Sequence, residues 1–283
     1  MDVARYRFSR ALRPFSLVVA LISCGLGIAL ALADSGPLWA AAVTLLAGVL
    51  LQSGVNLIND HSDLHLLPAS VQGEQAAACI RRNHRIGLGL FVVVGLLALP
   101  LLWHAGWPLL LLALIGLVGA IGYTQEPINY KRRGLGVPLV FWLMGVLMVC
   151  GAYLAVAGSW RDDLWWRSLP VACLTALLLL SNELRDWEED SERGIRTLCV
   201  RWGYEVGRSI YLSLLGASLL LPLAMALAGQ LERVWLLLPV LLLVPALIRL
   251  TRAEAAERIA LTPLTGRFMA LTGVLYIAAS LQP

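Results

Sequence analysis

Charge is what this sequence has least of. Only 14% of its 283 residues are Asp, Glu, Lys or Arg, while 59% are hydrophobic. Soluble globular chains carry roughly 25% charged and about 45–50% apolar residues. So little charge cannot cover a water-facing surface of this size. That excludes a soluble globular enzyme, a disordered chain and a nucleic-acid-binding domain, and it marks an integral membrane protein. Paired cysteines are also missing. Cys24, Cys79, Cys150, Cys173 and Cys199 are odd in number, far apart and without a Cys-x-x-Cys pair, so neither a disulfide framework nor a zinc site is expected. No Walker or Ser-His-Asp arrangement stands in the chain.

What is present is a series of runs without a single charged side chain: 14–33, 35–59, 86–125, 134–160, 168–182, 209–231, 234–248 and 268–283. A bilayer core of roughly 30 Å needs about 20 apolar residues of helix. Most runs are therefore single spans, and 86–125 is long enough for two with a turn at His104-Ala105-Gly106. Nine spans are predicted. Runs 168–182, 234–248 and 268–283 are short and need flanking polar residues to complete them. Helices satisfy their own backbone polar groups in lipid, so the expected fold is all-α. Residues 1–283 are read as a single membrane domain.

Basic residues orient it. Arg5, Arg7, Arg10, Arg13, Arg81, Arg82, Arg85, Lys131, Arg132, Arg133, Arg185, Arg193, Arg196, Arg201, Arg208, Arg249, Arg252, Arg258 and Arg267 fall on one set of alternate loops. Only Arg161, Arg167 and Arg233 fall on the other. Basic loops stay cytoplasmic, which predicts an odd number of spans and a cytoplasmic N-terminus. Run 14–33 is long, and no convincing cleavage site follows it, so it is read as a retained first span and not a signal peptide.

Polar residues at membrane level mark function, and two segments stand out. Asn56-Leu57-Ile58-Asn59-Asp60-His61-Ser62-Asp63 closes the second run. Asn182-Glu183-Leu184-Arg185-Asp186-Trp187-Glu188-Glu189-Asp190 closes the sixth span. Asn56, Asp60 and Asp63 share a helix face, as do Asn182, Asp186 and Asp190. Stacked carboxylates repel unless cations compensate them. An oxygen-only donor set favours a hard divalent ion, and Mg²⁺ takes one or two carboxylates with substrate phosphates completing its shell. The pair of clusters therefore predicts a diphosphate–Mg²⁺ clamp, with Mn²⁺ as a possible substitute. Arg185, Arg193, Arg196 and Lys131 to Arg133 would supply the positive charge that a diphosphate leaving group needs.

These residues resemble the UbiA superfamily of intramembrane prenyltransferases. The segment Asn182-Glu183-x-Arg185-Asp186-x3-Asp190-x3-Gly194-x-Arg196-Thr197-Leu198 is similar to that family's second aspartate motif. The loop Tyr123-Thr124-x2-Pro127-x2-Tyr130-x2-Arg133-Gly134-Leu135-Gly136 resembles the corresponding loop of the 1,4-dihydroxy-2-naphthoate (MenA-type) branch. So do Arg13-Pro14 and Leu261-Thr262-Pro263-Leu264-Thr265. His61 stands where the family usually has an aromatic residue, and Val137 where Glu usually follows Gly-Leu-Gly.

The resemblance implies nine transmembrane helices bundled around a central cavity open to the cytoplasmic side. It implies transfer of a prenyl group from a polyprenyl diphosphate to a small aromatic acceptor, best 1,4-dihydroxy-2-naphthoate, in the inner membrane of a bacterium. Asp60, Asp63, Asp186 and Asp190 would hold Mg²⁺ on the diphosphate, and Asn56 and Asn182 would complete or orient its shell. Lys131, Arg133 and Arg185 would take up leaving-group charge, Tyr123 would face substrate, and Arg13 would hold an acceptor carboxylate. Another acceptor such as 4-hydroxybenzoate, a terpene cyclase of the same superfamily, and a secondary transporter are the alternatives.

Overall fold

The computed structural model describes residues 3–61, 64, 67–123 and 127–281. Asp63 and Thr124 lie outside the described residues. Among the described residues every regular element is a helix. Short α1 (Phe8–Ala11) leads into α2 (Leu17–Ala33), followed by α3 (Leu38–Asn59), α4 (Val71–Ala105) and α5 (Trp107–Gly122). Next comes a helix in three parts: α6 (Gly136–Val140), a π-helical segment Phe141–Leu147 and α7 (Met148–Ala157). The chain then forms α8 (Leu164–Arg185), α9 (Trp187–Glu192), α10 (Leu198–Trp202) and α11 (Tyr204–Leu227). It ends with a 3₁₀ segment Val234–Leu243 running into α12 (Val244–Leu250), then α13 (Ala255–Arg258) and α14 (Leu261–Ser280).

Seven helical stretches are long and apolar enough to cross a bilayer, while Trp107–Gly122 and Val234–Leu250 are shorter apolar helices. Two of the runs that looked short in sequence are completed by neighbours, since α8 extends to Leu164 and Arg185 and α14 begins at Leu261. The shortfall falls instead on α5, whose start is fixed by Gly106 at φ 74 and a proline in its first turn. In Val234–Leu250 the geometry changes. Ten 3₁₀ residues at about 2.0 Å and seven α residues at about 1.5 Å reach roughly 30 Å, the thickness of the hydrocarbon core.

Helix α8 is the axis of the bundle. Leu174, Leu177, Leu180 and Leu184 on it are fully buried, and it packs against α11, α14, α6, α2 and the π segment. Gly145 permits the closest of these approaches, because a Cβ there would lie 2.3 Å from Ala172 Cα. A buried, multiply braced helix holds its C-terminal end in a fixed position, and that end carries the second acidic cluster.

The opposite end of the bundle is tied by an ionic lattice. Asp34 accepts from the Tyr153 hydroxyl (2.7 Å) and from Arg161 (2.8 Å), and Asp163 accepts from Arg161 and Arg167. Burial raises the Asp163 carboxyl, but these two guanidiniums hold it, on balance, below its ordinary value. Two of the three basic residues at this end are therefore neutralised locally, leaving the positive excess at the other.

Candidate active site

A cavity of about 870 Å³ opens within the bundle. Its apolar length is lined by Leu102, Leu109, Leu112, Met144, Leu147 and Met148, and its polar end by both acidic clusters.

The first cluster is placed by the end of α3. Asn56 is buried, the helix stops at Asn59, and Asp60 is the capping residue. Arg13 Nη2 donates to Asp60 Oδ1 at 2.7 Å, and the Arg13 guanidinium also meets the Asn59 amide oxygen once that amide is correctly oriented. Arg13 itself is left-handed (φ 47, ψ 64) immediately before Pro14. Such a backbone costs a non-glycine residue about 1–3 kcal/mol and persists only where its surroundings over-determine it. Asn56 provides that support: its amide donates to Leu12 O and Ser16 Oγ, both at 2.8 Å, while its oxygen accepts from Gln52. Its nitrogen thereby anchors the 12–16 segment.

The second cluster is carried across a helix break. Helix α8 ends at Arg185 and α9 begins at Trp187, with Asp186 between them. Helical hydrogen bonding nevertheless continues, since Asp186 N donates to Asn182 O (2.9 Å) and Asp190 N to Asp186 O (2.8 Å). Asn182, Asp186 and Asp190 thus stay on one side and all line the cavity. Arg185 grips Asp186 with two hydrogen bonds, at 2.7 and 2.6 Å. Burial and the neighbouring Asp186 carboxylate push the Asp190 carboxyl up to about 6, with Lys131 close enough to oppose the shift.

Of the residues singled out by sequence, Arg13, Asn56, Asp60, Tyr123, Lys131, Asn182, Arg185, Asp186 and Asp190 line this cavity. Arg133 and Arg196 do not. Arg133 turns away to donate to Pro127 O. The turn that does this ends at Gly134 (φ 73), where a Cβ would lie 2.6 Å from Arg201 Cδ. Of the two arginines that follow the second cluster, Arg193 lines the cavity and pairs with Glu189 at 2.7 Å. Sequence reasoning missed Arg5, Arg10 and Glu183. The first two were accounted for as orienting charges. Glu183 is buried on the cavity wall and accepts from Cys199 N–H (3.2 Å), fastening α8 to α10.

Among the described residues no three His, Cys, Asp or Glu side chains form a ready-made metal cage. The donor chemistry still fits Mg²⁺. Asp60, Asp186 and Asp190 offer only hard oxygen donors, two of them are already balanced by guanidiniums, and the third is crowded by a like charge. Mg²⁺ needs only one or two carboxylates when substrate phosphates supply the rest.

The UbiA prenyltransferase family model matches residues 20–272. The chain is 33% identical over 221 residues to the 1,4-dihydroxy-2-naphthoate octaprenyltransferase of Mycobacterium leprae, covering 73% of this chain and 72% of that protein. It is 30% identical over 197 residues to the enzyme of the same name from Haemophilus influenzae, covering 65% of this chain and 64% of that one. Its fold is shared by a UbiA homolog from Archaeoglobus fulgidus solved with DMAPP and Mg²⁺, at a TM-score of 0.64 and 16% identity, over 97% of this chain and 99% of that one. Apolar helices of spanning length, a cavity with an acidic and basic end, and a family match over most of the sequence lead to one statement: this integral membrane protein belongs to the UbiA prenyltransferase family.

Proposed function

We propose that the chain transfers a prenyl group from an isoprenoid diphosphate to an aromatic acceptor in a Mg²⁺-dependent reaction, with 1,4-dihydroxy-2-naphthoate as acceptor. One observation carries this reading. A single cavity gathers Asp60, Asp186 and Asp190 with Arg13, Lys131 and Arg185 at one end and is walled by Leu and Met along the rest. That is the division of a prenyl diphosphate itself, an anionic head on an apolar chain. The relatives named as naphthoate octaprenyltransferases support the acceptor, and the A. fulgidus structure supports the metal. Mn²⁺ is proposed as a substitute, because diphosphate and carboxylate oxygens suit both ions.

Asp60, Asp186 and Asp190 would hold Mg²⁺, with Asp63 assigned the same role from sequence. The ion, when bound, neutralises diphosphate charge as the C–O bond breaks. Lys131 and Arg185 stabilise the departing diphosphate by direct charge-assisted hydrogen bonds. Asn182 orients the second cluster. The apolar wall excludes water from the allylic cation, and Tyr123, which packs edge-on against Tyr130 at 5.2 Å, presents aromatic surface beside it. An electron-rich acceptor carbon then forms the new C–C bond. The ring carbon's proton or carboxyl group leaves.

In this reading the seven long and two short apolar helices make nine spans of one domain covering 1–283. The N-terminus and cavity mouth face the cytoplasm, in a bacterial inner membrane. The deciding experiment is mass spectrometry of purified protein given Mg²⁺, octaprenyl diphosphate and candidate acceptors. A prenylated naphthalene product is expected. Product with 4-hydroxybenzoate alone would overturn the acceptor, and a cyclised hydrocarbon without acceptor would overturn the transferase reading in favour of a cyclase.

A further inference from the structure

An acidic side chain within a span is costly and marks function by default. Glu183 is such a residue. It sits on the last turn of α8, is only 5% exposed and lines the central cavity, yet the transfer reaction described above gives it no part. Thr175, Leu179 and Glu183 are spaced i, i+4 and i+8 and all line the cavity, so they share a helix face. Asn182, Asp186 and Asp190 form the neighbouring stripe. Glu183 therefore stands where the polar end of the cavity gives way to its apolar length.

Only one side of its carboxylate is tied to the protein frame. A carboxylate has about four acceptor positions. Among the described residues, Cys199 N–H fills one of them, on Oε2 at 3.2 Å. Leu198 N–H and the Cys199 thiol stand on that same α10 side. Oε1 lies toward the inner loop: a Cβ on Gly136 would sit 3.5 Å from it and 4.0 Å from Tyr123 Cε2, and Tyr123 is itself part of the cavity wall. Charge decides which ligand group suits this oxygen. A diphosphate is repelled by it, and a prenyl chain has no donor to offer. A hydroxyl on an aromatic ring is a donor carried on an apolar plate, which suits a carboxylate oxygen set between Tyr123 and Leu179.

We propose that Glu183 Oε1 accepts a hydrogen bond from a ring hydroxyl of the acceptor, and so selects hydroxylated rings and fixes them beside the donor's reacting carbon. The inference rests on the aromatic-acceptor reading above and adds the group that recognises the ring. In 1,4-dihydroxy-2-naphthoate the 1-hydroxyl bonds to its own neighbouring carboxylate, which leaves the 4-hydroxyl for Glu183. That pose also keeps the ligand's carboxylate on the far side of the ring, away from a like charge.

The test is a two-by-two comparison on the full chain: wild type and Glu183→Gln, each with 1,4-dihydroxy-2-naphthoate and with 1-hydroxy-2-naphthoate, which lacks the 4-hydroxyl. Glutamine keeps the size of the side chain, and its amide oxygen still accepts from Cys199 N–H, so the tie to α10 is preserved. Its NH2 then offers a donor where an acceptor stood. In the wild type, loss of the 4-hydroxyl should weaken binding in calorimetry and lower kcat/KM, each about 10- to 100-fold, the scale of a hydrogen bond to a charged group. In Glu183→Gln the two acceptors should fall within about threefold of each other, with the KM of the prenyl diphosphate and the Mg²⁺ requirement as in the wild type. A matched pair of 4-hydroxybenzoate and benzoate applies the same test to a smaller ring. A hydroxyl preference that is absent, or that survives in Glu183→Gln, with both ring pairs overturns the assignment. Equal losses with hydroxylated and dehydroxylated rings would confine Glu183 to joining two helices, and a changed Mg²⁺ requirement would make it a metal ligand; either result overturns it as well. Binding is read without turnover. A hydroxyl preference that depends on Glu183, in a protein that transfers no prenyl group, would therefore overturn the transferase reading alone.

Discussion

The guanidinium of Arg13 and the carboxylate of Asp60 meet at 2.7 Å although 47 residues separate them. The second cluster repeats the arrangement with Arg185 on Asp186. In both, the first aspartate of the motif is balanced by an arginine. On the proposed function such guanidiniums would compete with Mg²⁺ for the carboxylates and, once released, would be available to the diphosphate.

Removing the competitor has a directional consequence. In Arg13→Leu the apparent Mg²⁺ affinity should rise a few-fold, since a part-exposed ion pair is worth about 1 kcal/mol or less, while kcat falls. Titration calorimetry with a non-reactive diphosphate analogue checks it. Weaker metal binding would show that Arg13 organises Asp60 and does not compete for it. A selective rise in the acceptor's KM would return Arg13 to the role of holding an acceptor carboxylate.

Metal dependence is the broadest expectation. Activity should vanish with a chelator and return with Mg²⁺ or Mn²⁺. Asp186→Asn should reduce kcat/KM on the order of 100-fold or more and more than Asp63→Asn does. Full turnover in excess EDTA would remove the metal role from all the motif aspartates.

Protonation of Asp190 sets a pH window. Burial and the neighbouring Asp186 push its carboxyl up to about 6. Because the folded value is raised, the stabilising contribution is fully present below the ordinary carboxylate value and is lost as pH rises through about 6. Metal binding needs the deprotonated form and has the opposite sign: Mg²⁺ affinity should fall as pH drops below about 6. Tm and metal titrations between pH 5 and pH 8 measure both, and Asp190→Asn should flatten each profile.

Helix α9 has its own tether. Arg258 is buried, makes a two-pronged ion pair with Glu188 and lies 4.7 Å from the Tyr204 ring centroid. Burial raises the Glu188 carboxyl, but Arg258 holds it on balance below its ordinary value. Arg258→Lys keeps the charge but loses the fork and the stacked plane. It should weaken Mg²⁺ binding through Asp190 and destabilise the protein by about 1–2 kcal/mol. Thermal unfolding and metal titration together test this, and an unchanged metal affinity would confine Arg258 to stability.

Topology is open to direct measurement. Reporters placed near residues 70, 130, 195 and 258 should read as cytoplasmic, and those near 35, 105, 163 and 230 as external. An external signal from the 185–205 loop would refute the proposed orientation.

Both acidic clusters were legible in sequence because their cues are local: carboxylates three and four residues apart at the ends of uncharged runs. Lys131 against Arg133 was not. Consecutive basic residues in a tight turn point in different directions, and this turn is bracketed by left-handed Asn129 (φ 34) and Gly134 (φ 73). Of Arg193 and Arg196 only the first lines the cavity, with Gly194 at φ 67 turning the chain between them. The commitment of Asn56 to Leu12 and Ser16 spans 44 and 40 residues, a separation at which periodicity carries no information. The π segment Phe141–Leu147 has no proline or charge to announce it.

The stretched 3₁₀ winding of Val234–Leu243 has a mechanical side. Ten residues wound as 3₁₀ are about 5 Å longer than the same ten as α-helix. Without it, Val234–Leu250 would be too short for a bilayer of ordinary thickness and would have to dimple the lipid around it. If the segment crosses the bilayer as proposed, rewinding toward α would shorten this one helix while the heavily braced α8 stays in place. Turnover in vesicles of shorter-chain lipids should accordingly hold up better than in vesicles of longer-chain ones, where no further extension is left in the segment.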